Sequence, residues 1–203
     1  MRRVWSTYEY QPSFILGFHG CDKEVGEAIL RGDEKHLKWS EKKYDWLGSG
    51  IYFWEGNPAR AMEWAEHRKA EEKIATPFVI GAIIDLRHCL DLFDSAGLRE
   101  VRDAHAELLK TLAKAGAAPP KNVGDTPDKA GRLLDCAVMN YLHEYRKERD
   151  EGNEDDAFDS IRAPFLEGEP VYAGAGFRSE NHIQLCVRST DCIKGYFRPI
   201  TLT

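Results

Sequence analysis

Pro77 is followed by nine residues, Phe78-Val79-Ile80-Gly81-Ala82-Ile83-Ile84-Asp85-Leu86, of which only Asp85 is charged. The run is far shorter than the ~20 apolar residues that a membrane-spanning helix needs. It also lacks the apolar–polar alternation of a strand with one wet face. Such a run reads as a strand covered on both faces. A strand of that kind requires partners in a sheet, and the chain supplies candidates. Phe14-Ile15-Leu16-Gly17-Phe18, Ile51-Tyr52-Phe53-Trp54, Ile183-Gln184-Leu185-Cys186-Val187 and Ile193-Lys194-Gly195-Tyr196-Phe197 all carry the same apolar, β-branched and aromatic character.

Helices are expected between them. Asp22 is a helix N-cap, Val25, Ala28 and Ile29 form an apolar face, and Gly32 ends the segment. Residues 33–47 are charged without a period and read as a loop. Asn57-Pro58 is a strong helix start, and Ala61, Trp64 and Ala65 share one face of that helix. The middle is helical. Asp94 or Ser95 caps a segment reaching about Lys114, Gly116 closes it, and 117–125 is a connector. Thr126-Pro127 starts a further helix striped by Leu133, Leu134, Ala137, Val138, Tyr141 and Leu142. Residues 148–159 hold seven acidic side chains against Arg149, which reads as a solvated loop or as a mobile flap or docking patch. Ala173-Gly174-Ala175-Gly176 is a loop. Strands and helices do not alternate regularly, so a doubly wound parallel sheet is disfavoured. The expectation is an α+β fold of packed sheets, one domain over 1–203, with a helical insertion at about 94–150.

The length of 203 residues suits one domain. The formal charge of -6 disfavours a globally basic nucleic-acid binder. Met1-Arg2-Arg3-Val4-Trp5 runs into Ser-Thr-Tyr-Glu-Tyr rather than a secretory apolar core. The five cysteines, Cys21, Cys89, Cys136, Cys186 and Cys192, are odd in number and form no CxxC pair. They read as reduced, buried thiols of a cytoplasmic protein. Several chemistries fail on spacing. Gly48-Ser49-Gly50 meets Phe53, and Gly174-x-Gly176 meets Ser179, where a dinucleotide-binding turn needs a third glycine. His143-Glu144 lacks the second histidine of a zincin helix, and there is no Walker loop or GxSxG elbow. No metal is expected.

Three separated segments remain: Gly17-Phe18-His19-Gly20 at a strand end, Leu47-Gly48-Ser49-Gly50-Ile51-Tyr52-Phe53, and Ser179-Glu180-Asn181-His182-Ile183-Gln184-Leu185. A glycine beside a strand-end histidine allows close backbone approach of a ligand. On a strand, Glu180, His182 and Gln184 would share one face. His-Gly followed thirty-odd residues later by Gly-Ile-Tyr-Phe and a small-residue helix resembles the PARP-like, diphtheria-toxin-type ADP-ribosyltransferases. The resemblance covers about 14–66 and, more weakly, 178–197. It implies a split β-sheet core with peripheral and inserted helices, and NAD as donor substrate. It implies that His19 holds an NAD ribose, that the Gly20 backbone pairs with the nicotinamide amide, and that Tyr52, in the motif opened by Gly50, packs on the nicotinamide ring. Trp64 would close the sandwich.

The family's late-strand glutamate is missing. Gln184 and Glu180 are the candidates for its place, with His182 between them as a further donor-site residue. A glutamine there implies mono-transfer or slow hydrolysis rather than polymer formation. The resemblance further implies a macromolecular acceptor, RNA, DNA or protein. It also implies a role as a bacterial toxin or phage-defence effector, with an antitoxin or inhibitor protein as partner. Arg31, Lys35, Lys38, Lys42 and Lys43 are candidates for the NAD pyrophosphate or a nucleic-acid acceptor, and 166–178, with Tyr172, for acceptor recognition. An RNA 2′-phosphotransferase-like enzyme, for which His182 and Arg178 are the hints, and a non-catalytic NAD or ADP-ribose-binding module are the alternatives.

Overall fold

A computed structural model describes residues 14–124, 131–149 and 157–200. The elements in chain order are β1 (Ile15–Asp22), α1 (Lys23–Arg31), β2 (Ile51–Glu55), α2 (Pro58–Ala70), β3 (Pro77–Ile84), β4 (Cys89–Asp91), α3 (Ser95–Lys114), α4 (Leu133–Arg149), β5 (Ser160–Phe165), β6 (His182–Val187) and β7 (Ile193–Phe197). The helix start expected at Thr126-Pro127 and most of the acidic stretch 148–159 lie outside the described residues.

The fold is α+β. Among the described residues the strands join in one seven-stranded sheet, in the order β4-β5-β6-β2-β1-β3-β7, rather than in separate packed sheets. Every neighbouring pair is antiparallel except β4 and β5. Parallel neighbours need a long crossover, usually helical. The chain between β4 and β5 contains α3 and α4, so the expected helical insertion is the crossover that this one parallel pair demands. The apolar run that begins after Pro77 forms β3 and pairs along its whole length with β1, from Ile15↔Ile84 to Asp22↔Pro77. Most of β3 is covered on both faces, and only Ile83 stands open, at 37% exposure.

The sheet has a weak seam. β1 and β2 share only Gly17↔Glu55 and Phe18↔Trp54 in register, and beyond Phe18 they part. Side chains alternate across β2. Ile51 and Phe53 enter a core with Ile80, Ile84, Leu185 and Val187, to which α1 contributes Ile29. Tyr52 packs on the opposite side with residues of α3 and α4, including Leu108, Val138, Met139 and Leu142. Trp54, also on that side, joins Ala61 and Trp64 of α2. One sheet face therefore carries two separate helical groups, and a cleft lies between them.

Local chemistry sets the element ends. Gly32 caps α1 in the left-handed conformation, and Asn57 caps α2 through its side chain to the Arg60 amide at 3.0 Å. Asp22 does more than cap α1. One of its oxygens accepts from the Glu24 amide at 3.1 Å, and the other from the Ala75 and Thr76 amides at 2.6 and 3.1 Å. It thus ties the start of α1 to the approach to β3. These amides, Thr76 foremost, hold the Asp22 carboxyl below the usual aspartate range. Its stabilisation is present above the unfolded-state pKa, ~3.9, and is lost as pH falls through the lower folded value. Asp22→Ala is expected to melt below the wild type at pH 7. The gap should shrink in thermal melts run at successively lower pH below ~4, and a gap independent of pH would contradict this role.

Candidate functional site: an aromatic cleft at the strand seam

His19 occupies the place where β1 leaves β2. Its Nδ1–H donates to the Tyr52 carbonyl at 2.7 Å, which bridges the seam that strand pairing leaves open. A carbonyl only accepts, so Nδ1 carries the hydrogen and Nε2 is left as an acceptor. Burial lowers the His19 pKa, so the ring is neutral at pH 7. The imidazole stands edge-on to Phe53, centroids 5.9 Å apart, and 6.4 Å from Trp64.

Tyr52 lines the same cleft. Its hydroxyl donates to the Gly48 carbonyl at 2.6 Å and accepts from the Leu47 amide at 3.1 Å. Burial raises its pKa well above the ordinary value. The phenol therefore pins the Leu47–Gly48 turn, and the ring is what Tyr52 contributes to the wall. Gly50 is required by packing, because a Cβ there would lie 2.4 Å from Cys186 Sγ.

Gly20 and Trp64 are linked through α2. A Cβ on Gly20 would lie 2.2 Å from the Ala61 carbonyl oxygen and 3.2 Å from the Trp64 ring. The absent side chain at position 20 thus admits α2, and so brings Trp64 to His19. Gly20 is not among the lining residues, whereas Trp64 is. Arg68 covers the Trp64 ring at 5.4 Å.

The third segment differs from a simple strand. β6 begins at His182, so Glu180 lies in the preceding turn, where its amide donates to the Glu167 carbonyl at 3.1 Å. Strand alternation does not extend to it. The Glu180 carboxylate meets Arg60 at 2.6 Å, and Glu167 meets the same guanidinium nitrogen at 2.8 Å. Glu180 does not line the cleft, while His182 and Gln184 do. His182 donates from Nδ1 to the Glu180 carbonyl at 2.8 Å, packs 5.2 Å from Phe165, and is held neutral by burial. Gln184 accepts a hydrogen bond at Oε1 from the Trp46 indole N–H. An indole N–H only donates, so the amide must turn its oxygen to Trp46 and its NH₂ group away.

The cleft encloses about 530 Å³, within the usual range of small-molecule sites. Its walls include several aromatics that the sequence motifs left out: Trp39, Tyr44, Trp46, Trp54 and Phe165. Arg132, just ahead of α4, stacks over both Trp46 and Phe165, at 5.4 and 5.2 Å. Of the basic candidates in the 31–43 stretch, Lys38 and Lys42 reach the cleft, while Arg31 lies apart and pairs with Asp33 at 2.8 Å. The density of tryptophan and tyrosine between residues 39 and 54 is the signal that could have identified these walls. Arg60, Arg132 and Phe165 carry no such local signal. The 166–178 segment folds back on itself, with Pro170 paired to Arg178, and exposes Tyr172 and Phe177. All five cysteines are unpaired. Among the described residues, no helix is long and apolar enough to cross a membrane.

No family model, curated protein or solved structure matches this chain.

Gly20→Ala places a methyl group against a backbone carbonyl, which cannot rotate away. A stability loss of about 1–3 kcal/mol is expected, as for other overpacked cores. Quenching of tryptophan fluorescence by acrylamide should rise as α2 withdraws Trp64. An unchanged melting temperature would show that α2 does not rest on this glycine.

Proposed function

We propose that this cleft binds NAD and transfers its ADP-ribose to a macromolecular acceptor, with release of nicotinamide. The sheet parted between β1 and β2 is, on this reading, the split core of an ADP-ribosyltransferase-like fold. The observation that carries the reading is the His19–Tyr52 bond. It holds a neutral imidazole, with Nε2 as acceptor, at the wall of an aromatic cleft of dinucleotide-compatible size. A ribose hydroxyl is a natural donor to that nitrogen. Tyr52 and Trp64 offer ring faces to a cationic pyridinium, each worth roughly 0.5–1.5 kcal/mol beyond burial. Lys38 and Lys42 line the cleft without forming ion pairs among the described residues, and they suit a diphosphate.

The reaction breaks the C1′–N bond of the donor. The electron pair leaves on the nicotinamide nitrogen and neutralises the pyridinium, so the leaving group needs no proton. An acceptor oxygen or nitrogen, or water, then bonds to C1′ and releases its proton to solvent. What the protein supplies is orientation, worth up to about 7–11 kcal/mol in favourable geometry. Gln184 brings its NH₂ group and no charge, which suits single transfer or slow hydrolysis. An acceptor in the cytoplasm and a toxin or defence role, with an inhibitor protein as partner, belong to the same proposal.

A second reading has an observation in its favour. The Gln184 oxygen is engaged by Trp46 and the Glu180 carboxylate by Arg60. A non-catalytic NAD or ADP-ribose-binding module would tolerate both. The test is incubation with nicotinamide-labelled NAD, following free nicotinamide. Wild type should release it. Tyr52→Phe keeps the ring but frees the Leu47–Gly48 turn and should lose less than Tyr52→Ala, whereas Tyr52→Ala and His19→Ala should lose at least about 10-fold. NAD binding without release would favour the module. Turnover confined to 2′-phosphorylated RNA would favour a phosphotransferase built on His182 and the cleft arginines.

A further inference from the structure

The proposed transfer develops positive charge at C1′ of the donor ribose, and neither residue at the third position meets it with a free negative charge. Gln184 is neutral. Glu180 shares one guanidinium nitrogen of Arg60 with Glu167, at 2.6 and 2.8 Å. Two further carboxylates line the cleft from the loop before β2, Asp45 and Glu41. Asp45 is buried, and its Oδ2 accepts both from Ser40 Oγ at 2.7 Å and from the Lys42 amide at 2.6 Å, which ties that carboxylate into the loop. Glu41 differs from all of these. It lines the cleft, is exposed, and makes no hydrogen bond or ion pair among the described residues.

Its backbone, by contrast, is held on both sides. Ser40 exchanges two hydrogen bonds with Gly50, at 2.9 and 3.0 Å, and the Lys42 amide is fixed on Asp45. The Gly50 end of this clamp adjoins β2 two residues before Tyr52. A carboxylate is thus carried on an anchored stretch of chain beside the aromatic walls, and its own bonds contribute nothing to holding that stretch in place. Such a group stabilises a cation by field alone.

We infer that Glu41, from the loop before β2, supplies the carboxylate that faces the developing ribose cation, in place of a late-strand glutamate. This inference rests on the NAD-transfer reading. The C1′–N bond breaks with its electron pair going to nicotinamide. The cation at C1′ is stabilised by Glu41, which is not consumed. The acceptor or water then forms the new bond to C1′ and gives its proton to solvent.

Glu41 is water-exposed, so its contribution is smaller than the about 10²–10³-fold of a buried electrostatic group. Glu41→Gln is expected to lower kcat for nicotinamide release by about 10- to 100-fold. NAD affinity, read by quenching of the cleft tryptophans, should stay within about threefold, and the melting temperature should not move. Glu41→Asp should recover part of the rate. Glu34→Gln, on the same loop but outside the cleft lining, should match wild type. Wild-type turnover with an unchanged kcat in Glu41→Gln would overturn this inference and leave the transfer reading standing. NAD binding by wild type without nicotinamide release would overturn both.

Discussion

One hydrogen bond sits where the sheet is weakest. β1 and β2 are neighbours that pair over only two positions, and the His19 imidazole spans the gap to the Tyr52 carbonyl. A backbone ladder would have closed the seam and left no room for a ligand. A side-chain donor keeps the two strands associated while they diverge. The same bond fixes the tautomer of the ring, and burial keeps it neutral. Structural closure and the presentation of an acceptor nitrogen therefore come from a single contact.

The surrounding residues serve that arrangement by different means. The Tyr52 hydroxyl secures the turn that leads into β2. Gly20 secures α2 by having no side chain to interfere with Ala61. Asp45 organises the loop that bears Lys38, Glu41 and Lys42. The tryptophans at 39, 46, 54 and 64 come from loop, strand and helix to form the walls. Two of these rings are covered by guanidinium groups, Trp64 by Arg68 and Trp46 by Arg132, so a ligand entering the cleft meets their remaining surfaces.

Much of this is legible in the residues. The apolar run after Pro77, the Asp22 and Asn57 caps, and the glycine stop at Gly32 identify their elements because each signal is local. The short strand β4 and the strand β5 carry no such signal. Cys89-Leu90-Asp91 is too brief to show alternation, and Ser160–Phe165 carries Arg162 and Pro164 in its middle. Arg162 is accommodated because Glu55 and Asp91 flank it, at 2.6 and 3.4 Å, which no local pattern reveals. The same limit applies to the cleft. His19, Tyr52, Trp64, His182 and Gln184 stand in or beside recognisable motifs. The engagement of Glu180 by Arg60, and of Gln184 by Trp46, depends on contacts across more than a hundred residues of chain and becomes visible only in three dimensions.

The order of the strands also governs how the molecule meets copies of itself. A sheet ends in two rows of unpaired peptide groups, and such rows invite intermolecular strand addition. Among the described residues one rim is β4, only three residues long, too short to template a partner. The other rim is β7, which presents the exposed Lys194 and is followed within two residues by Pro199. A lysine resists the approach of a flat apolar edge, and proline cannot donate to a ladder. Both rims of the sheet, as the described residues form it, are thereby guarded against fibrillar growth, while the opening at its centre stays accessible.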